Sequence, residues 1–119
     1  GVRYKVAIAM FGWLTYRNRY LLETNLRGFS VIEGHRKSRM DWQSVTQIDV
    51  GRKPTAAVEH FYVTMSSEEC SITVTDSIKG FGKFQSAAFE YWPQIKSGWV
   101  RVFTGPSDIL AYEILWKRQ

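Results

Sequence analysis

The chain has 119 residues, 45% of them hydrophobic and 15% aromatic, and a net charge of +5. That composition excludes a disordered or low-complexity chain, and the length suits one domain with one core across residues 1–119. A lone cysteine, Cys70, excludes an internal disulfide and a cysteine-built metal centre, and its place in the run Cys70-Ser71-Ile72-Thr73-Val74 reads as a small buried apolar residue.

The charge is unevenly distributed. Residues 1–53 carry ten Lys/Arg against four Asp/Glu, while residues 54–119 carry six against seven. The positive excess therefore lies in the first half, which favours an anionic partner such as a lipid headgroup or nucleic acid. The competing reading is a basic surface with no partner at all. The apolar stretch Val6–Leu14 has nine residues, far short of the roughly 20 a membrane-crossing helix needs. A chain opening on Gly1 is compatible with a trimmed precursor, and a cytoplasmic module tethered to an inner membrane by a segment outside this chain is the expectation.

Residues 2–10 alternate, with Val2, Tyr4, Val6, Ile8 and Met10 on one face, and read as a first strand ending near Gly12. A second strand is expected over Asn18–Thr24, a turn at Asn25-Leu26-Arg27-Gly28, and a third strand over Phe29–Glu33. Gly34-His35-Arg36-Lys37 reads as a basic hairpin tip, Ser38–Trp42 leads out of it, and Gln43–Val50 forms the next strand. Gly51–Thr55 is expected to be a loop, since Pro54 cannot donate to a ladder.

His60–Met65 and Ser71–Thr75 read as a hairpin with Phe61, Val63, Met65, Ile72 and Val74 facing the core. Period 2 then gives way to period 3.6. Phe81, Phe84, Ala88, Trp92 and Ile95 predict one amphipathic helix over Gly80–Trp92, ended by Pro93. Trp99–Thr104 alternates as a late strand would. Residues 109–119 suit either a helix capped by Ser107 or Asp108 or a strand through Leu110, Tyr112, Ile114 and Trp116, with strand the preferred reading.

Residues 18–95 are similar to the bacterial pleckstrin-homology-like (PH-like) domains. The resemblance is carried by Tyr20–Thr24, by Gly28-Phe29-Ser30-Val31, by the Trp42-x-x-Val45 step into the next strand, and by Ser71–Asp76 running into the helix that starts near Gly80. It implies an α+β fold: a bent antiparallel sheet or partly open barrel capped by one amphipathic helix, here with extra terminal strands. The same fold serves many binding roles, so the resemblance implies little about function; the expectation for the chain as a whole is a non-catalytic binding or assembly module with no cofactor.

Lipid-binding members of the wider superfamily hold phosphates with Lys and Arg from strand–loop positions, and arginine does so in bidentate geometry. The corresponding ligand-binding candidates are Arg36, Lys37 and Arg39 at the tip, with Arg52 and Lys53 as neighbours. Single-stranded nucleic acid is an alternative ligand, since Tyr16, Arg17, Arg19 and Tyr20 interleave aromatic and basic residues. A small enzyme of unrecognised type is a third reading. It has little to build on, because neighbours such as Glu59 and His60 point to opposite faces of a strand, and neither catalytic nor metal-ligand spacing is present. The aromatics Trp42, Phe61, Phe81, Phe84, Tyr91 and Trp92 are assigned to the core. Trp13, Trp99 and Trp116 are left between core and partner interface. A protein partner, or self-association along an exposed sheet edge, completes the expectation.

Overall fold

In a computed structural model, residues 20–54, 59–105 and 111–119 are described, with the backbone alone at Lys53, Pro54, Glu59 and His60. The strand expected at 2–10, Trp13, and Tyr16, Arg17 and Arg19 lie outside the described residues. Two antiparallel sheets and two helices make an α+β fold. Strands β1 (Tyr20–Thr24), β2 (Gly28–Glu33) and β3 (Arg36–Asp41) form a meander, joined through a 3₁₀ turn, Trp42–Ser44, to the second sheet. That sheet has the order β6-β5-β4-β7, with β4 at Gln47–Pro54, β5 at Glu59–Ser66, β6 at Ser71–Thr75 and β7 at Ala111–Lys117. Among the described residues the sheets stay separate and do not close into a barrel.

Alternation decides which residues reach the interior. Leu22, Phe29, Val31 and Met40 on one sheet face Ile48, Val50, Phe61, Val63, Met65, Ile72 and Val74 on the other, and all are buried. Helix α1 (Phe81–Tyr91) lies over both sheets and joins their aromatic sets. Phe84, fully buried, stands 5.0 Å edge-on from Phe29, and Phe81 packs 6.4 Å from Phe61. Such ring pairs add to area burial because ring edges meet ring faces.

Three expectations are corrected. Trp99–Thr104 is not a strand: helix α2 spans Lys96–Phe103, so two helices pack on the sheets where one was expected. Its inward face is Ile95, Trp99 and Val102, spaced four and three apart, and all three are buried. Gly51–Pro54 is not a loop but the second half of β4, paired throughout with β5 and, at Gly51 and Arg52, with β7 as well. Here Pro54 stands at the strand's last position, where a missing donor costs little. Third, Tyr91 is 49% exposed and lies outside the core. Trp99 joins the core, with its indole N–H donating to Gln85 Oε1 at 2.9 Å, and Trp116 packs 5.5 Å from Trp92. Cys70 is half-buried against the core. The strand reading of the C-terminal stretch holds over Ala111–Lys117.

Candidate functional site

The five cations singled out by the sequence are not gathered at one point. The hairpin turn is Gly34-His35, and Arg36, Lys37 and Arg39 all lie on β3. Strand alternation puts Lys37 and Arg39 on the outer face and Arg36 on the other. Arg39 donates to Asp41 at 3.0 Å, so its charge already has a local partner. Arg52 and Lys53 belong to the other sheet. The Arg52 guanidinium donates to the Gly105 carbonyl oxygen and lies 3.5 Å from that of Val102, at the C-terminal end of α2. Cations there satisfy carbonyls that the helix leaves open, which explains Arg52 structurally.

A different place has the shape of a site. Where the β1–β2 turn, the Trp42 turn and α1 meet, the surface opens into a groove of about 650 Å³. A smaller recess of about 340 Å³ shares Leu26, Trp42 and Tyr91 with it. The β1–β2 turn is held rigidly. Asn25 Oδ1 accepts from the N–H groups of Arg27 and Gly28 at 2.8 and 3.0 Å, and Asn25 N–H donates to the Gly28 carbonyl at 2.9 Å. Trp42 N–H donates to Arg27 O at 2.8 Å, tying the two turns together. On this fixed apex Leu26 is 97% exposed, beside exposed Arg27.

The groove wall supplied by α1 presents Ala87 and Tyr91, with Lys83 and Glu90 at its rim. Opposite them stands Thr24, the last residue of β1. Its hydroxyl oxygen is buried and has no hydrogen-bond partner among the described residues. A buried polar atom left unsatisfied costs free energy, so native proteins leave few. The backbone at this point is also special. The N–H of Leu22, on the edge of β1 away from β2, donates to Lys79 O at 2.9 Å, as a short parallel bridge before Gly80 turns the chain into α1. Gly80 has φ +98°, and a Cβ there would strike the Leu22 carbonyl. Beyond that bridge α1 leaves the strand, and the next residue of the same parity on that edge is Thr24.

A second polar cluster lies on the outer face of the four-stranded sheet. Asp49 is buried, with Gln47 Nε2 donating to Oδ1 at 3.3 Å and the Tyr112 hydroxyl as a second donor. Burial pushes its carboxyl above the ordinary value, and these two hydrogen bonds hold it back. Tyr62 and Tyr112 are pushed up as well, by burial first and then by the Asp49 charge. The Tyr62 ring occupies the space a side chain on Gly51 would need. Among the described residues no cluster of three or more His, Cys, Asp or Glu could hold a metal, and no helix is long and apolar enough to cross a membrane.

No family model, curated protein or solved structure matches this chain. The groove was not legible in the sequence. Leu26 and Asn25 read there as turn residues and Tyr91 as core, and the open state of Thr24 depends on where Lys79 and α1 fall in three dimensions.

Proposed function

We propose that this chain is a non-catalytic binding module of PH-like architecture from a bacterial protein, with its ligand seat at the corner groove between β1 and α1. The observation that carries this reading is the unpartnered Thr24 hydroxyl beside a groove of about 650 Å³. Concave, mostly apolar surface with a few convergent polar groups is the usual form of a ligand seat. The outer-face cluster around Asp49 lacks that form, because its polar groups bond one another.

Leu26 favours a second reading, docking on an anionic membrane surface. An aliphatic side chain on a rigid apex beside Arg27 is suited to entering the headgroup layer, with Lys37 and Arg39 on the outer face of β3 adding attraction. Of the Tyr16, Arg17, Arg19 and Tyr20 set behind the nucleic-acid reading, Tyr20 alone lies among the described residues.

Indole is the probe that tests the seat. Titrated into ¹⁵N-labelled protein, it is expected to shift the Trp42 side-chain and Ala87 backbone signals, and Ala87→Arg, which fills the groove, is expected to abolish those shifts. Shifts scattered elsewhere, or unchanged in the variant, would overturn the seat. Co-sedimentation with phosphatidylglycerol-containing and neutral vesicles, with Leu26→Ser beside the parent chain, settles the membrane reading. Salt-sensitive binding lost in the variant supports it, and no binding to either vesicle removes it.

A further inference from the structure

We propose that the occupant of the corner groove is an extended peptide segment that adds as a strand to the end of β1, whose outer edge at Thr24 is met by no strand among the described residues, an inference that rests on the groove being the ligand seat. Four observations converge on this occupant. Ladder parity comes first. Asn25 N–H donates to Gly28 O, so the odd-numbered residues of β1 hydrogen-bond β2 and the even-numbered ones direct N–H and C=O to the opposite edge. The Leu22 N–H, which donates to Lys79 O on that edge, confirms the parity.

The protein itself already uses strand addition at this edge. The Leu21–Lys79 bridge is a one-residue parallel pairing that stops where Gly80 turns the chain away. A ligand strand arriving at Thr24 continues a pairing that the fold begins and abandons. The Thr24 hydroxyl, buried with no partner among the described residues, adds a third polar group to the N–H and C=O that ladder parity directs to this edge. A lipid chain answers none of these three, whereas a peptide backbone offers alternating acceptors and donors at the strand repeat.

The groove's dimensions suit the same class. Lys83 and Glu90, both on its rim, are seven residues apart on α1. At the helix rise that is about 10 Å, the reach of about three residues of extended chain. Such a segment sends alternate side chains toward Trp42, Ala87 and Tyr91, so the preferred ligand has apolar residues two apart. It carries opposite charges at its two ends, facing Glu90 and Lys83.

Two alternately N-methylated peptides test the backbone claim directly. The probe is blocked Ser-Leu-Thr-Val-Ser, with one twin methylated on the amides of Leu and Val and the other on the amide of Thr. Binding is read from the Thr24 amide and Trp42 indole signals. Strand addition predicts that one twin binds like the parent peptide and the other loses about fivefold or more in affinity, since a strand turns only alternate amides toward its neighbour. Equal binding by both twins, or no shift with the parent peptide, overturns the inference. Failure here with indole still bound at Trp42 leaves the seat intact, while failure of indole as well removes both. Shifts at Leu26 from anionic vesicles alone would assign the corner to a membrane instead. Thr24→Val keeps the shape of the side chain and is expected to weaken the parent peptide about threefold to tenfold. Unchanged affinity in that variant would show that the hydroxyl is not part of the contact.

Discussion

On the outer face of the four-stranded sheet the Thr64 and Thr73 hydroxyls bond each other at 2.8 Å, Ser66 bonds Ser71 at 2.9 Å, and Asp49 has two donors. At the corner of the three-stranded sheet, Thr24 keeps a buried hydroxyl with no partner among the described residues. Both places put threonine on a strand, and the residue type is the same. What differs is whether a neighbouring strand supplies the answering group. On the larger sheet β6 does so for β5, and the polar face is closed on itself. At the corner the chain turns away at Gly80, and no other described strand reaches Thr24. An internally satisfied polar face stabilises a fold, whereas an unsatisfied buried group costs free energy until something answers it.

The largest expected effect strikes the joint that makes the corner. Gly80→Ala must hold a left-handed φ and place a methyl against the Leu22 carbonyl, and is expected to cost about 3 kcal/mol in denaturant unfolding. It should also weaken protection of the Leu22 amide in hydrogen exchange. A loss well below 1 kcal/mol would mean that the corner is not fixed by this turn and that Thr24 can find a partner by local movement.

Next in size is the closed face. Thr73→Val leaves the Thr64 hydroxyl alone and is expected to cost about 1.5 kcal/mol. The same exchange at Thr24 has the opposite sign. Thr24→Val removes a buried oxygen that bonds nothing and is expected to stabilise the free protein by about 1 kcal/mol, read from the same unfolding curves. Opposite signs for one chemical change at two sites is the sharpest form of the comparison. Equal costs would erase it.

Asp49 adds a pH dependence to the larger sheet. Its folded-state value is raised above 3.8 by burial, so the folded protein holds that proton more tightly than the unfolded chain. Its contribution is fully present below 3.8 and is lost as pH rises through the raised value. Asp49→Asn is therefore expected to be the more stable form at neutral pH, with its advantage shrinking as pH falls through that window. Urea midpoints across pH check the sign, and an advantage that grows on acidification would contradict the burial argument.

Much of this fold was legible because its strands alternate cleanly and its first helix does not. Phe81, Phe84 and Ala88 keep helical spacing and are all buried. Helix α2 was hidden by its own composition. Val100 and Val102 with Trp99, Arg101 and Phe103 alternate as a strand would, yet Val100 and Phe103 are 42% and 40% exposed while Trp99 and Val102 face inward. The Ile95–Trp99–Val102 spacing and the preceding Pro93, which begins a 3₁₀ turn, were the signals to weigh. Gly51 read as a break, whereas its missing side chain makes room for Tyr62 within a continuous strand. The groove is a tertiary product. Thr24 is an ordinary strand residue until the placement of Lys79 and α1 leaves its edge without a described neighbour.

The smallest expected effect concerns the cations that the sequence put first. Arg39 pairs with Asp41 at 3.0 Å, with 40% and 35% of the two side chains exposed. Exposed pairs of this kind contribute about 0–1 kcal/mol, because solvent screens them and two side chains must be ordered. Arg39→Ala is thus expected to move the unfolding midpoint by less than the groove variants do. That indifference is useful: Lys37→Glu/Arg39→Glu can be assayed on anionic vesicles in a protein that remains folded. Lost vesicle binding with unchanged stability would assign the outer face of β3 to a membrane. Unchanged binding would leave those cations to solvent and leave the proposed recognition to the corner, with its strand edge, its apolar groove and the Lys83 and Glu90 charges at the rim.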